Sequence, residues 1–156
     1  MIRVECLPDS TLVQSLTGLT KKHITHYSGK SEVCKAIKRL NDCVGMIDED
    51  PGRNQPTYLQ NLVVQQDLPD FNLRILLDEE RNDKIIILCP NLEGWIIKSA
   101  VEAGIDLNRE NLSRDEYQLH QIINSRLQNF SRLIEKLKRM NSNRIRQLEL
   151  FLKNQV

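Results

Sequence analysis

Short apolar runs alternate with amphipathic segments, and this alternation limits the fold of the 156-residue chain more than any other feature. Three of the four clearest strand-like runs are followed by a segment with apolar residues at helical spacing. These runs are "IRVECL", "KHITHY", "CVGMI" and "IIILC". The last two are apolar on consecutive residues, as in parallel strands that are covered on both faces. The order predicts an α/β domain with a mainly parallel sheet flanked by helices.

The middle of the chain interrupts this alternation. Between residues 51 and 72 the sequence is rich in turn formers and amides, so we expect a long excursion with at most a short helix or strand around Tyr58 to Val64. The charged turn "DEERND" then separates a further strand-like run, "LRILL", from the run "IIILC". A helix should follow the second run and end at Gly104, where a left-handed glycine is typical.

The segment after this helix contains helical patterns only. Residues 1–105 are therefore predicted to form the α/β domain, and residues 106–156 a helical C-terminal extension that begins its main helix near a cap-like Ser113. From residue 114 onward there are nine basic and four acidic residues, which gives a formal charge of +5. The rest of the chain carries −4. Such a segment either binds a phosphate backbone or an acidic partner, or is a solvated helix face. Arg132, Lys136 and Arg139 are spaced to form one basic stripe.

Carboxylates stand where three of the predicted strands end. Glu5 ends the first, Asp9 lies in the turn that opens the next helix, Asp48 and Asp50 follow the third, and Glu93 begins the helix after the last. Because parallel strands share one carboxyl edge, we expect these acids to converge there. Converging carboxylates repel one another unless a cation joins them, and oxygen ligands suit Mg²⁺, Mn²⁺ or Ca²⁺. Taken singly, such an acid is more often a turn former or a helix cap; it is their joint placement at strand ends that favours a cation site.

Two details refine this expectation. Side chains two apart on an extended strand share a face, so Asp48 and Asp50 should point the same way and Glu49 away from them. Lys30 follows a turn at Gly29 and either faces a phosphate on the same rim or is a solvated first-turn residue. The "SGKSE" segment lacks the upstream glycine of a nucleotide-binding P-loop.

Four segments together resemble the TOPRIM domain of topoisomerases, primases and nucleases, and most of all its overcoming-lysogenization-defect (OLD) branch. They are "VECLPD", "HYSGKSEV", "VGMIDEDPG" and "ILCPNLEGW". The resemblance implies a role for Glu5 as general acid or base and as metal ligand. It also implies that the further acidic ligands of Mg²⁺ or Mn²⁺ are Asp9, Asp48, Asp50 and Glu93.

The resemblance implies Mg²⁺-dependent cleavage of phosphodiesters, as a nuclease or nickase in DNA repair or anti-phage defence. If Lys30 faces a phosphate on the acidic rim, it is a further catalytic residue. OLD-like nucleases commonly join their TOPRIM domain to an ATPase, so a separate partner ATPase is expected here. The alternative is a non-catalytic module of the same fold that binds a partner protein or nucleic acid.

Composition points to an ordinary globular protein of the cytoplasm. The chain is 40% hydrophobic and 28% charged, and it has no apolar run of the roughly 20 residues needed to cross a membrane. Four cysteines without C-x-x-C spacing argue against a zinc site, and they fit small buried side chains in a reducing compartment.

Overall fold

The computed structural model of the chain describes residues 1–155. Within them, six strands form one sheet and seven α-helices flank it. The strands are β1 (Ile2–Val4), β2 (Ile24–His26), β3 (Val44–Asp48), β4 (Val63–Leu68), β5 (Leu73–Asp78) and β6 (Asp83–Leu88). The helices are α1 (Leu7–Thr17), α2 (Lys30–Lys38), α3 (Thr57–Gln60), α4 (Leu92–Glu102), α5 (Glu116–Ile122), α6 (Leu127–Arg139) and α7 (Asn143–Lys153).

The sheet has the strand order β2-β1-β3-β6-β5-β4. The first four strands in this order are parallel, while β5 and β4 run antiparallel to their neighbours. This confirms the α/β class and the mainly parallel sheet. The carboxyl ends of β1, β3 and β6 lie side by side, because Val4 is in register with Met46 and Asp48 with Leu88.

Helices cover both faces of the sheet. On one face α1, α4, α5, α6 and α7 enclose the larger core, in which Trp95 is completely buried. On the other face α2 and the short α3 enclose a smaller core. There α2 approaches β3 closely at Gly45, where an added Cβ would lie 2.5 Å from Ile37 Cδ1. A glycine at this point therefore lets the helix pack directly on the strand.

The C-terminal helices pack on the first helix of the sheet domain. Helices α6 and α7 both contact α1, and their apolar side chains join the larger core. The long amphipathic pattern is broken by a 3-10 turn at Ile123–Ser125. The cap-like role expected of Ser113 is wrong: Asp115 caps α5 by accepting a hydrogen bond from the Gln118 N–H, and the Ser113 hydroxyl donates to the Gln118 side chain.

The excursion after β3 holds more structure than its sequence indicates. It contains α3 and all of β4, which extends beyond the expected short element and pairs with β5 across an irregularity between Val64 and Gln66. Strand β4 is solvent-exposed along most of its length, so burial imposes no alternation on its sequence. Its pairing with β5, which the local sequence does not encode, makes it a strand.

Among residues 1–155, no helix is both long enough and apolar enough to span a bilayer. The four cysteines are free thiols, and Cys34 and Cys43 are buried.

Candidate metal centre

Three of the predicted carboxylates meet at the carboxyl edge of the sheet. Glu5 follows β1, Asp48 is the last residue of β3, and Asp50 lies two residues beyond it. One side-chain oxygen from each lies within 4.8 Å of the other two. Neighbouring parallel strands thus bring together acids that are 43 residues apart in the chain. We call Glu5, Asp48 and Asp50 the acidic triad.

Main-chain groups hold the triad in place. The Asp48 N–H donates to Glu5 Oε1 at 2.8 Å, and the Leu92 N–H donates to Asp48 Oδ1 at 2.8 Å. Leu92 is the first residue of α4, so the positive end of that helix faces the Asp48 carboxylate. These contacts fix two of the three acids relative to the sheet.

Asp50 reaches the triad through a turn. It has a left-handed backbone with φ 49°, and its N–H donates to the Pro90 carbonyl at 2.9 Å. Asp50 was predicted to lie beside Asp48 because an extended strand was expected to continue through it, but β3 ends at Asp48. The two residues are together as predicted, for a different physical reason.

Lys30 is buried beside the triad. Its Nζ lies 3.2 Å from Asp50 Oδ2 and donates to the Glu49 carbonyl at 3.0 Å and to Gln55 Oε1 at 3.1 Å. The interpretation of Lys30 as a solvated first-turn residue is therefore wrong. Its ammonium gives the acidic edge a cation and ties the start of α2 to the loop after β3.

Glu49 points away from the triad, as the strand alternation indicates. Its Oε2 lies 3.4 Å from Arg74 Nη1, on the α3 side of the sheet. Asp48 and Asp50 of the "DED" sequence therefore belong to the triad, whereas Glu49 lies on the α3 side of the sheet.

Asp9 and Glu93 lie beside the triad and make other contacts. Asp9 is the third residue of α1, where its Oδ2 accepts hydrogen bonds from the Cys6 N–H at 3.1 Å and from Cys6 Sγ at 3.2 Å. Glu93 Oε1 lies 2.8 Å from His120 Nδ1. No role at this edge was predicted for His120, because the docking of α5 near α4 leaves no pattern in the local sequence.

Burial and mutual repulsion make the metal-free triad unfavourable. Desolvation by burial is the main cause that raises the pKa of Asp48 to about 9, and the charges of Asp9 and Glu5 add to it. Burial likewise raises the pKa of Asp9 to about 7. The pKa of Glu5 is raised mainly by burial, against hydrogen bonding from the Asp48 backbone and the charge of Lys30. A cation that joins these groups would relieve this cost.

A cavity of about 430 Å³ opens beside the triad. Glu5 and Asp48 line it together with Glu93, and the rings of His26 and His120 stand at its walls. The donor set of carboxylate oxygens suits a hard divalent cation such as Mg²⁺ or Mn²⁺. An acidic group fit to bind a divalent metal therefore borders a space large enough for a ligand.

The predicted basic stripe on α6 is interrupted. Arg132 and Arg139 are exposed, whereas Lys136 Nζ lies 2.6 Å from Glu110 Oε1. Within residues 1–155, Arg132 and Arg139 form no ion pair, so two of the three stripe residues present their charge to solvent.

Comparison of the chain with protein-family models, with curated proteins and with solved structures gave no match. Its description consequently rests on the mostly parallel α/β sheet and on the acidic triad at the strand ends, an arrangement compatible with a TOPRIM-like fold.

Proposed function

We propose that the chain is a TOPRIM-like, divalent-cation-dependent nuclease that cleaves phosphodiester bonds of nucleic acid. The observation that carries this proposal is the approach of the Glu5, Asp48 and Asp50 oxygens to within 4.8 Å of one another at a carboxyl edge. The resemblance of the four sequence segments to the OLD-like TOPRIM branch supports the same chemistry. Mg²⁺ or Mn²⁺ would be held by the triad, with Asp9 and Glu93 beside it.

A divalent cation bound there would supply Lewis-acid stabilisation of the phosphate and a more acidic water. Glu5 is the residue suited to proton transfer, because burial raises the pKa of its carboxyl above the ordinary value. Its Oε1 accepts the Asp48 N–H at 2.8 Å, which fixes the carboxyl at the strand end. Lys30 contributes a buried ammonium at the same edge, suited to a phosphate oxygen.

The direct test is incubation of the purified protein with supercoiled plasmid, single-stranded DNA and single-stranded RNA. We expect nicking or cleavage of at least one substrate with Mg²⁺ or Mn²⁺ and none with EDTA. A protein that binds the metal and cleaves none of the three would contradict the nuclease proposal.

The second candidate is a non-catalytic module that binds nucleic acid or a partner protein, for example a separate ATPase in a repair or defence system. The exposed Arg132 and Arg139 on the basic C-terminal segment favour it. A protein that binds nucleic acid or a partner through these arginines but cleaves no substrate would indicate this second function.

The double substitution Arg132→Glu with Arg139→Glu should weaken binding to a labelled oligonucleotide. If both arginines contact phosphates, the slope of log K against log salt should also become shallower by about 1 to 2. Fluorescence anisotropy at several salt concentrations measures both quantities. The charge-matched control is Lys21→Glu with Lys22→Glu, two exposed lysines before β2. An unchanged slope in the α6 variant would assign the basic segment to a protein partner.

A further inference from the structure

A second cavity lies on the opposite face of β3 from the Glu93 side of the triad. Its volume is about 320 Å³. Ile47, Leu76 and Ile87, from three adjacent strands, supply apolar side chains to it, and Leu59 of α3 adds another. This cavity is therefore a largely apolar space on the smaller-core side of the sheet.

The end of β3 joins this cavity to the acidic triad. Asp48 lines both this cavity and the one beside Glu93, while Glu49 lines only this one of the two. Gln55 couples them further: its Oε1 accepts from Lys30 Nζ, and its Nε2 donates to the Glu49 carbonyl at 2.9 Å. Asp48 and Gln55 therefore connect the triad with the lining of the apolar cavity.

The polar groups of the cavity are few and are placed at its border. Arg74 is its cationic lining residue, with Nη1 3.4 Å from Glu49 Oε2 and Nε 3.6 Å from Asp67 Oδ1. The exposed Gln60 brings a carboxamide to the same border. An apolar space with a guanidinium and an amide at its border suits a flat ring with hydrogen-bonding edges better than an aliphatic chain.

We propose that this cavity binds an unpaired nucleobase of the substrate strand, next to the phosphate held at the triad. This inference rests on the proposed function. An engineered cavity of roughly 150 Å³ accommodates benzene, so 320 Å³ has room for a purine or pyrimidine ring. Arg74 would contact the ring through its guanidinium plane, and the Gln60 amide would pair with a base edge. The substrate is accordingly single-stranded or locally opened nucleic acid.

The first test observes the cavity without any cleavage. The methyl groups of Ile47, Leu59, Leu76 and Ile87 are followed by NMR while a nucleoside monophosphate, which has no phosphodiester bond to cleave, is added with Mg²⁺. We expect chemical-shift changes at these methyls and none at Val101, which is exposed on α4. Ribose 5-phosphate, which lacks the base, should leave the four methyls unchanged. Equal shifts with both compounds, or no shift with either, would overturn the proposal.

The second test compares substrates with and without a base. Leu59→Phe reduces the space, and Gln60→Ala removes the exposed amide without touching the core. Each should raise KM for a single-stranded oligonucleotide at least severalfold and leave cleavage at an abasic position unchanged. The matched control for the added ring is Val101→Phe, which should alter neither. Identical KM values in wild type and both variants would contradict the nucleobase site.

Failure of the two proposals can be told apart. Methyl shifts with the monophosphate but no cleavage of any substrate would leave the nucleobase site standing and remove the nuclease. Metal-dependent cleavage that is equal for intact and abasic substrates, without methyl shifts, would support the nuclease and remove the nucleobase site.

Discussion

Replacing Asp48 with asparagine should stabilise the metal-free protein at pH 8 by about 2 kcal/mol or more. The substitution removes one of several buried, mutually repelling carboxyl groups, whose repulsion and burial raise the pKa of Asp48 to about 9. The asparagine carbonyl can still accept the Leu92 N–H that now binds Asp48 Oδ1. A substitution in a central strand would ordinarily destabilise the fold, so a gain in stability is a distinctive result.

The gain should depend on pH in a defined direction. A carboxyl whose pKa is raised on folding contributes its full stability below the pKa of the unfolded chain, about 4, and loses it as pH rises through the folded value. For Asp48 this window runs to about 9, and for Asp9 to about 7. The wild type in EDTA should therefore lose stability between pH 5 and pH 8, and the Asp48→Asn variant should lose less.

Urea unfolding in EDTA at pH 5 and pH 8 measures the effect. The control is Glu49→Gln, which removes the adjacent carboxylate that pairs with Arg74 outside the triad. Its effect should stay below about 1 kcal/mol, as for a partly exposed ion pair. A wild type and an Asp48→Asn variant with parallel pH profiles would contradict the account of the triad.

The second large effect is expected on cleavage. Asp50→Ala and Asp48→Ala each remove a triad oxygen and should lower the metal-dependent cleavage rate by about 10²- to 10³-fold, since loss of a bound cation withdraws several kcal/mol of transition-state stabilisation. Both variants should also lose the rise in melting temperature that Mg²⁺ gives the wild type. Glu49→Ala should keep that rise, because Glu49 points away from the triad.

Glu32→Ala, a half-exposed acid on α2 that pairs with Lys35, serves as the control for activity in the same assay. It removes one negative charge without touching the carboxyl edge of the sheet. If the Asp50 and Asp48 variants cleave as fast as Glu32→Ala, then "DED" is only a turn and the nuclease proposal loses its metal site.

The approach of Glu5 to Asp48 could be predicted from sequence because it follows from topology. Two apolar strand-like runs in an alternating pattern become neighbouring parallel strands, and residues at their carboxyl ends then meet. Strand alternation likewise placed Glu49 on the opposite side. These conclusions need only the order of elements and the two-residue period of a strand.

Contacts that depend on turns and on tertiary packing could not be predicted from the order of elements and the strand period. The left-handed backbone of Asp50 is set by its hydrogen bond to Pro90, a residue 40 positions away. The burial of Lys30 depends on the path of the loop through Gln55. His120 reaches Glu93 only because α5 docks near α4, and the exposed β4 carries no apolar alternation. None of these features has a signature in the local sequence.

A crystal of the protein soaked in millimolar Mn²⁺, with anomalous difference density recorded, would show directly whether the triad holds a cation. We expect a peak bounded by oxygens of Glu5, Asp48 and Asp50 at bond lengths of about 2.0 to 2.6 Å, with Lys30 displaced from Asp50. Absence of a peak at the triad, with Lys30 Nζ still about 3.2 Å from Asp50 Oδ2, would contradict this expectation.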